Sequence, residues 1–169
     1  MTETRWLDNE EMQVWRALLG VGTRVLSKLD DDLVAEYNLR VADYEVLVLL
    51  SEAPDGRLRM SELAGAVFLS PSGLTRRVDH LANGGLVVRE QCPSDRRGSF
   101  AVLTAAGMRA LEQAAPTHVE GVRRYVFDRM NRDELCVLAN VLQAILQVSG
   151  PMMAKHSDDG PLRTHHSSR

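Results

Sequence analysis

The chain has 169 residues, of which 44% are hydrophobic and 25% charged, and its formal net charge at pH 7 is −3. These values are typical of a globular protein with one domain or two small lobes, and no apolar run approaches the ~18 residues that a transmembrane helix needs. The acidic segment from Met1 to Glu11 lacks the apolar core of a secretory signal, and two distant cysteines make neither a disulfide framework nor a metal motif. We therefore expect a cytoplasmic protein with no membrane segment.

A long first helix is predicted from Asp8 or Asn9 to about Glu36. Either residue can cap it, and the two glutamates that follow suit the positive end of the helix dipole. Gly20 and Gly22 suggest a close helix approach or a slight bend. Apolar residues recur at three- and four-residue steps along one stripe: Trp15, Leu18, Leu19, Gly22, Val25, Leu26, Leu29 and Leu33. Because so long a helix is unusual in so small a protein, we expect this stripe to pack against a partner.

A second helix, from about Val41 to Glu52, is apolar nearly all round. Such a helix is buried on every side and is expected at the centre of the core. Residues 54–56, Pro-Asp-Gly, then break the chain. Residues 57–59 could form a short strand that joins a later hairpin.

Two short helices separated by a tight link are predicted between residues 60 and 83. The first covers residues 60–67, and the second begins after Ser70, which is a suitable N-cap. Pro71 suits the first helical position, where its missing N–H costs nothing. The Asn-Gly-Gly run at 83–85 is a stop signal, because glycine tolerates positive φ. This pattern predicts a helix–turn–helix.

The second of these helices has two different faces. One face is apolar and carries Leu74, Val78 and Leu81, and the opposite face carries Ser72, Thr75, Arg76 and Asp79. Small hydroxyls and an arginine that face outward are what a helix needs to lie close in a DNA major groove. The alternative is an ordinary solvated helix face.

A β-hairpin is predicted directly after this helix. Residues 86–91 and 99–103 are β-rich runs, and residues 92–98 between them read as a loop with two arginines. A basic loop of this kind can insert a guanidinium into the adjacent minor groove. Asp95 is expected to hold one of these arginines through a charge-assisted pair. Two helices followed by this hairpin make a winged helix–turn–helix.

The charge distribution supports a nucleic-acid partner although the chain as a whole is acidic. Residues 57–109 contain eight arginines and four acidic residues, a balance of +4, which leaves −7 for the remainder. A basic lobe on an acidic body fits a protein that meets phosphate with one face only.

Two further helices are predicted after the hairpin. Thr104 can cap the first, which runs towards Arg129, and Pro116 is expected to kink or break it. Asn131 and Glu134 resemble a capping box at the start of the last helix.

The last helix has a wide apolar surface, formed by Leu135, Leu138, Ala139, Val141, Leu142, Ile145, Leu146 and Val148. Gly150-Pro151 stops it, and the tail from Ala154 is expected to be flexible. The predicted fold class is therefore mainly α with a small β-hairpin wing (α+β).

Five short motifs occur in order within the central part of the chain. They are Met60-Ser61-Glu62-Leu63-Ala64, Ser72 with Thr75-Arg76, Gly85-Leu86-Val87, Asp95-Arg96-Arg97, and Leu103-Thr104-Ala105-Ala106-Gly107. Each motif is weak alone, but their joint occurrence is specific. The pattern resembles the multiple-antibiotic-resistance regulator (MarR) family, and the layout of nearly the whole chain is similar to it.

This resemblance implies a homodimeric bacterial transcription factor, often a repressor that a small ligand or oxidation releases from DNA. It divides the chain into a helical dimerisation lobe (8–36 and 105–150), a winged helix–turn–helix DNA-binding lobe (37–104) and a flexible tail (151–169). We expect the two recognition helices of the dimer to bind a palindromic operator on double-stranded DNA, in successive major grooves.

The resemblance and the helix geometry together predict the DNA-contacting residues of the recognition helix. Arg76 is expected to contact bases or phosphate, and Ser70, Ser72 and Thr75 to position the helix through hydroxyl hydrogen bonds. Arg77 lies nearer the apolar edge of the helix and is expected to reach the DNA backbone.

In the wing, we expect Arg97 rather than Arg96 to enter the minor groove, with Asp95 as its orienter. Members of the family usually place an arginine two residues after that aspartate.

Regulation is open at this stage. Members of the family often bind phenolic or other aromatic acids in a cleft between the two lobes, and Trp15 and His118 are candidates for such a small aromatic effector, with simple packing as their alternative role. Cys92 is either a thiolate favoured by nearby arginines, whose oxidation alters DNA contact, or an ordinary exposed thiol.

The sequence contains no P-loop, no GxSxG, no HExxH and no glycine-rich dinucleotide motif. We therefore expect no enzyme activity, no cofactor and no metal site. The alternative function is a winged-helix module for protein–protein contact without DNA binding, which would leave the clustered arginines unexplained.

Overall fold

The computed structural model describes residues 3–67, 69–92 and 95–148, and for residues 95–97 and 148 it describes the backbone alone. The helices are α1 (Asn9–Tyr37), α2 (Val41–Glu52), α3 (Met60–Ala66), α4 (Pro71–Asn83), α5 (Ala105–Tyr125) and α6 (Arg132–Val148). The strands are β1 (Arg57–Arg59), β2 (Val87–Cys92) and β3 (Asp95–Leu103), and short 3-10 turns cover Pro54–Gly56 and Phe127–Arg129. The prediction of a mainly α-helical winged helix–turn–helix is confirmed.

Local capping explains where the helices begin. Asp8 accepts from the backbone N–H of Glu11 at 2.8 Å, and Glu11 accepts from the backbone N–H of Asp8 at 3.0 Å, which completes a capping box for α1. Ser70 caps α4 by accepting from the backbone N–H of Gly73 at 3.1 Å. Asn131 accepts from two N–H groups in the first turn of α6, as the sequence predicted.

The three strands form one antiparallel sheet in the order β1-β3-β2. Residues 57–59 pair with residues 100–102, so the predicted short strand joins the hairpin. The predicted loop at 92–98 is wrong in extent, because Cys92 already pairs with Asp95 across an irregular register and β3 begins there. Cross-strand pairing continues nearly to the tip of the wing, and the arginines at 96 and 97 therefore lie on a strand.

The core forms where α2 meets α1, α3, α4, α5 and the sheet. As expected, α2 is buried, and Val46, Leu47 and Leu50 have no exposed surface. They pack with buried residues of α1, α3, α4, α5 and the sheet, including Leu33, Leu63, Leu74, Val78, Leu81, Val87, Ala101, Leu111 and Ala114.

Helices α1 and α5 pack together closely, so that an N-terminal and a C-terminal helix are in contact. Gly121 is buried where α5 meets Leu29 of α1, and the Tyr125 hydroxyl donates to Asp32 at 2.8 Å. A kink or a break was expected at Pro116. The break is wrong, because α5 continues through that residue and ends at Tyr125, and the kink stays a prediction. The close approach suggested for Gly20 and Gly22 does not occur within the chain, since no atom of another described element lies within 4 Å of a Cβ built at either position.

No helix in the described ranges combines the length and the apolar character needed to cross a membrane. The predicted stop at 150–151 and the tail from residue 154 lie outside the described residues.

Candidate nucleic-acid interface

Helix α4 presents one face to the core and the other to solvent. Leu74, Val78 and Leu81 are at most 1% exposed and fix the rotation of the helix, so that Thr75 and Arg76 face outward. Within the described part of the chain Arg76 makes no hydrogen bond and no ion pair. Its five guanidinium donors are therefore available to an external acceptor.

The hydroxyl groups at the start of α4 are also exposed. The Ser70 and Ser72 hydroxyls lie 3.3 Å apart, and Thr75 donates to the carbonyl of Pro71 at 3.0 Å. A hydroxyl that donates its hydrogen within the helix still has lone pairs, and it can accept from a base amino group. Together with Arg76, these groups form an exposed polar surface at the N-terminal end of α4, where sequence analysis placed them.

Arg77 has a different environment from the other predicted contact residues. Its Nη1 lies 3.4 Å from Oδ2 of Asp43 in α2, and its side chain is 28% exposed whereas that of Asp43 is 1% exposed. Asp43 also accepts from the backbone N–H of Arg40 at 3.0 Å at the start of α2. Arg77 is thus used to hold α4 on α2, and its contact with the DNA backbone stays a prediction.

Sequence analysis missed Asp43. The available signal was a carboxylate in the first turn of a helix that is apolar nearly all round and that is therefore expected to be buried. Such a residue must find a partner, because an unpaired buried charge is strongly unfavourable.

Replacing Asp43 with alanine should lower the free energy of unfolding by about 2 to 3 kcal/mol. The change leaves Arg77 half-buried without its partner, and the partial exposure of the guanidinium keeps the effect below that of a fully buried pair. Urea denaturation measures it. Asp31→Ala, which removes an exposed carboxylate 3.7 Å from Lys28, is the matched control and should change stability by no more than about 0.5 kcal/mol. Equal effects of the two variants would contradict this account of Asp43.

A second ion pair connects α4 to the wing. Nη2 of Arg89 in β2 lies 2.9 Å from Oδ1 of Asp79 and 3.3 Å from the backbone oxygen of Thr75, to which it donates. Sequence analysis placed Asp79 on the outward face, where its side chain is indeed 54% exposed, but it gave Arg89 no role. No motif spacing relates a helix residue to a strand residue ten positions later, so the sequence carried no signal for this pair.

The wing residues predicted to contact DNA lie on β3. The backbone of residues 95–97 is part of the strand, and their side chains are outside the described atoms. The roles of Asp95, Arg96 and Arg97 stay predictions. Cys92 is 4% exposed and not in a disulfide, so the expectation of an exposed thiol is wrong.

The two candidate effector residues lie far apart in one chain. His118 stacks on Tyr44, with ring centroids 4.3 Å apart, and its Nδ1 is buried with no hydrogen-bond partner. Burial lowers the pKa of His118, which favours the neutral imidazole in this stack. Trp15 lies roughly 30 Å along α1 from the Tyr37 end, where α1 contacts Thr117 beside His118. A single pocket in one chain cannot include both.

A polar cleft lies between α1 and α5. It is lined by Asp31, Asp32, Ala35, Glu36, Thr117, Glu120 and Arg124. Four carboxylates against one guanidinium give this cleft a negative charge, which disfavours an anionic ligand. Among the residues that the structure describes, no group of three or more histidine, cysteine or acidic side chains could hold a metal ion.

Comparison with known proteins identifies the family. The profile of the MarR family matches residues 37–98. Sco3205 from Streptomyces coelicolor, a MarR family regulator solved in complex with DNA, is 38% identical, with a TM-score of 0.81 over 90% of this chain and 96% of that one. AbsC, a MarR family regulator from the same organism, is 41% identical, with a TM-score of 0.78 over 86% of this chain and 98% of that one.

Among curated proteins, the repressor YetL from Bacillus subtilis is 28% identical over 112 residues, which are 66% of this chain and 66% of YetL. The match therefore spans just under two thirds of that relative. The solved relatives are matched over almost their whole length at substantially higher identity. The chain belongs to the MarR family of transcriptional regulators.

Proposed function

We propose that this protein is a dimeric, sequence-specific DNA-binding repressor that binds a palindromic operator and responds to a small ligand. The observation that carries the proposal is the exposed N-terminal end of α4, where Arg76 has no partner in the described chain and where the hydroxyls of Ser70, Ser72 and Thr75 are also exposed. Sco3205, which is similar to this protein over 90% of the chain, was solved in complex with DNA, and this supports a DNA partner. Ser70, Ser72 and Thr75 would set the position of the helix on the duplex, and Arg76 would read bases or hold phosphate.

The dimer is supported by apolar surface that the single chain leaves uncovered. In the N-terminal half of α1, Val14, Leu19 and Val21 are each more than half exposed. Helix α6 packs extensively against no other described element, and its exposed apolar residues are Val137, Val141, Leu142, Ile145 and Leu146. Exposed stripes of this size on two helices are typical of surfaces that a second subunit covers. We therefore assign α1, α5 and α6 to the dimerisation lobe and residues 37–104 to the DNA-binding lobe.

The proposals of repression and of a ligand response are based on the similarity to the MarR family. YetL is a repressor, and an effector that changed the separation of the two recognition helices would shift the protein away from its DNA-binding state. The stacked His118–Tyr44 pair lies where α5 meets α2, between the two proposed lobes, and it is the better of the two effector candidates. The acidic cleft between α1 and α5 is a poor site for an aromatic acid. A regulator of this kind acts on chromosomal DNA, and we place it in the cytoplasm.

Arg76→Ala should weaken binding to the protein's preferred duplex by about tenfold or more, because a bidentate arginine contact contributes about 1–3 kcal/mol. The measurement is a salt titration of binding to a duplex selected by the wild-type protein from random sequences, with a scrambled duplex beside it. Arg123→Ala, which removes an exposed arginine from α5, is the matched control and should leave the preference for the selected duplex unchanged.

No binding of the wild-type protein to any duplex at low salt would favour the alternative of a protein–protein interaction module. A steep fall of affinity with salt, together with a clear preference for one palindromic duplex, would support the regulator.

A further inference from the structure

Two arginine–aspartate pairs hold α4 from two different elements. Arg77 of α4 reaches back to the buried Asp43 of α2, and Asp79 of α4 reaches Arg89 in β2 of the wing. The first pair fixes the helix on the core. The second is the more unusual, because it connects the recognition helix to the wing, the two elements that would meet DNA together.

The position of Arg89 in the sheet explains how it reaches α4. Arg89 is paired with Ala101, which has no exposed surface, so both side chains lie on the face of the sheet that covers the core. From there its Nη2 approaches both the carboxylate of Asp79 and the backbone oxygen of Thr75. One guanidinium thus fixes the wing to two successive turns of α4.

The exposure of Asp79 is unfavourable for a surface that meets phosphate. Its side chain is 54% exposed on the same helix face as Thr75 and Arg76, and a carboxylate there repels the DNA backbone. An exposed ion pair also contributes little to folding stability. Neither folding stability nor attraction to DNA therefore accounts for an acidic residue at position 79. Holding Arg89 of the wing in place does account for it.

We propose that Asp79 and Arg89 are positioning residues that hold the wing and the recognition helix in one fixed relation, so that both engage the same duplex. The proposal rests on the proposed DNA-binding function. Thr75 accepts a hydrogen bond from Arg89 through its backbone oxygen and is also a predicted DNA-contact residue. Arg89 therefore holds the turn of α4 that is proposed to face DNA. Without the contacts of Arg89 with Asp79 and Thr75, the wing can turn relative to α4. The wing and α4 then no longer fit their two DNA grooves at the same time.

The test depends on the sign of the Asp79→Ala effect. If the carboxylate acts only as a charge near DNA, its removal tightens binding to every duplex. If Asp79 positions the wing, Asp79→Ala weakens binding to the selected duplex by about tenfold, comparable to the loss of one base contact, while binding to the scrambled duplex is unchanged or tighter. Alanine favours the helix, so thermal unfolding should show the variant folded.

Arg89→Met separates positioning from direct phosphate contact. A positioning role predicts weaker binding to the selected duplex with an unchanged salt slope, whereas loss of a phosphate contact reduces that slope by about one. The double variant Asp79→Ala with Arg89→Met should bind the selected duplex no more weakly than the weaker of the two single variants. Arg89→Lys should bind it more tightly than Arg89→Met.

Glu90→Ala is the matched control. It removes a carboxylate from the neighbouring position of β2, on the opposite face of the sheet, where Glu90 lies 3.6 Å from Arg57. It should leave the preference for the selected duplex unchanged.

Unchanged or tighter binding of Asp79→Ala to the selected duplex would overturn the positioning role, and so would a salt slope reduced by one for Arg89→Met. If Arg76→Ala weakens binding and Asp79→Ala does not, the positioning proposal alone fails. If the wild-type protein binds no duplex at low salt, the proposed function fails, and the positioning proposal fails with it.

Discussion

Gly107→Ala should lower the free energy of unfolding by about 3 kcal/mol or more, because the backbone of Leu86 occupies the space that a side chain would need. A Cβ built at Gly107 would collide with the backbone oxygen of Leu86 and lie 2.7 Å from Cδ1 of Leu103. The collision with backbone cannot be relieved by a change of rotamer. Gly107 is therefore fixed by packing between the start of α5 and the segment that leads into β2.

The surrounding hydrogen bonds prevent this segment from moving away. The backbone N–H of Thr104 donates to the Leu86 oxygen at 3.1 Å, and the Thr104 hydroxyl donates to the Gly85 oxygen at 2.8 Å. The same hydroxyl accepts from the N–H of Gly107 at 2.9 Å, which caps α5. A shift of α5 that accommodated alanine would break these bonds together.

Gly65→Ala is the matched control for this prediction. Gly65 lies within α3, and no atom lies within 4 Å of a Cβ built there, so alanine should raise stability by up to about 1 kcal/mol through helix propensity. Urea denaturation of both variants measures the difference. A Gly107→Ala protein as stable as wild type would show that the contact between α5 and Leu86 is looser than the structure indicates.

Val141→Glu should convert the protein to a monomer and weaken binding to a two-half-site duplex by about a hundredfold or more. Val141 is 49% exposed in the middle of the apolar stripe of α6, and a carboxylate buried there by a partner would lie without a counter-charge. Two linked recognition helices gain about 10²- to 10⁴-fold over one, and a monomer loses this gain.

Light scattering measures the mass and a binding titration measures the affinity. Gln143→Glu introduces the same charge on α6, about 200° around the helix from Val141, and should leave both the mass and the affinity unchanged. A Val141→Glu protein that stays dimeric at micromolar concentration would exclude this face of α6 from the interface.

Most element boundaries could be predicted because the signals that set them are local. Asp8, Ser70, Thr104 and Asn131 cap their helices through bonds to residues no more than three positions away. A capping side chain needs no information from the rest of the fold, and a sequence reader can therefore find it. The prediction that residues 92–98 form a loop was wrong in extent because it depended on a signal that is not local. Strand pairing is not local, and β3 extends to Asp95 because β2 offers it a partner.

The candidate site was predicted in part. The outward face of α4 follows from helical periodicity once the apolar face is known, and Arg76 and Thr75 are exposed as expected. The same periodicity could not show that Arg77 would bond to Asp43, 34 positions earlier, or that Arg89 would reach Asp79. Each of these contacts depends on how two separate elements pack and on which rotamers that packing allows.

The sequence by itself determined the order of the helices and strands and the outward face of α4, because caps, turns and apolar periodicity act within a few residues of one another. Its short motifs carried the resemblance to the MarR family. Only the tertiary structure decided which arginines are available to DNA and which ones hold α4 in place. It also decided that Pro116 is tolerated within α5 and that Gly107 cannot carry a side chain. The physical reason is the same throughout: burial, ion pairing and steric contact arise between segments distant in the chain, and they exist only after those segments have packed.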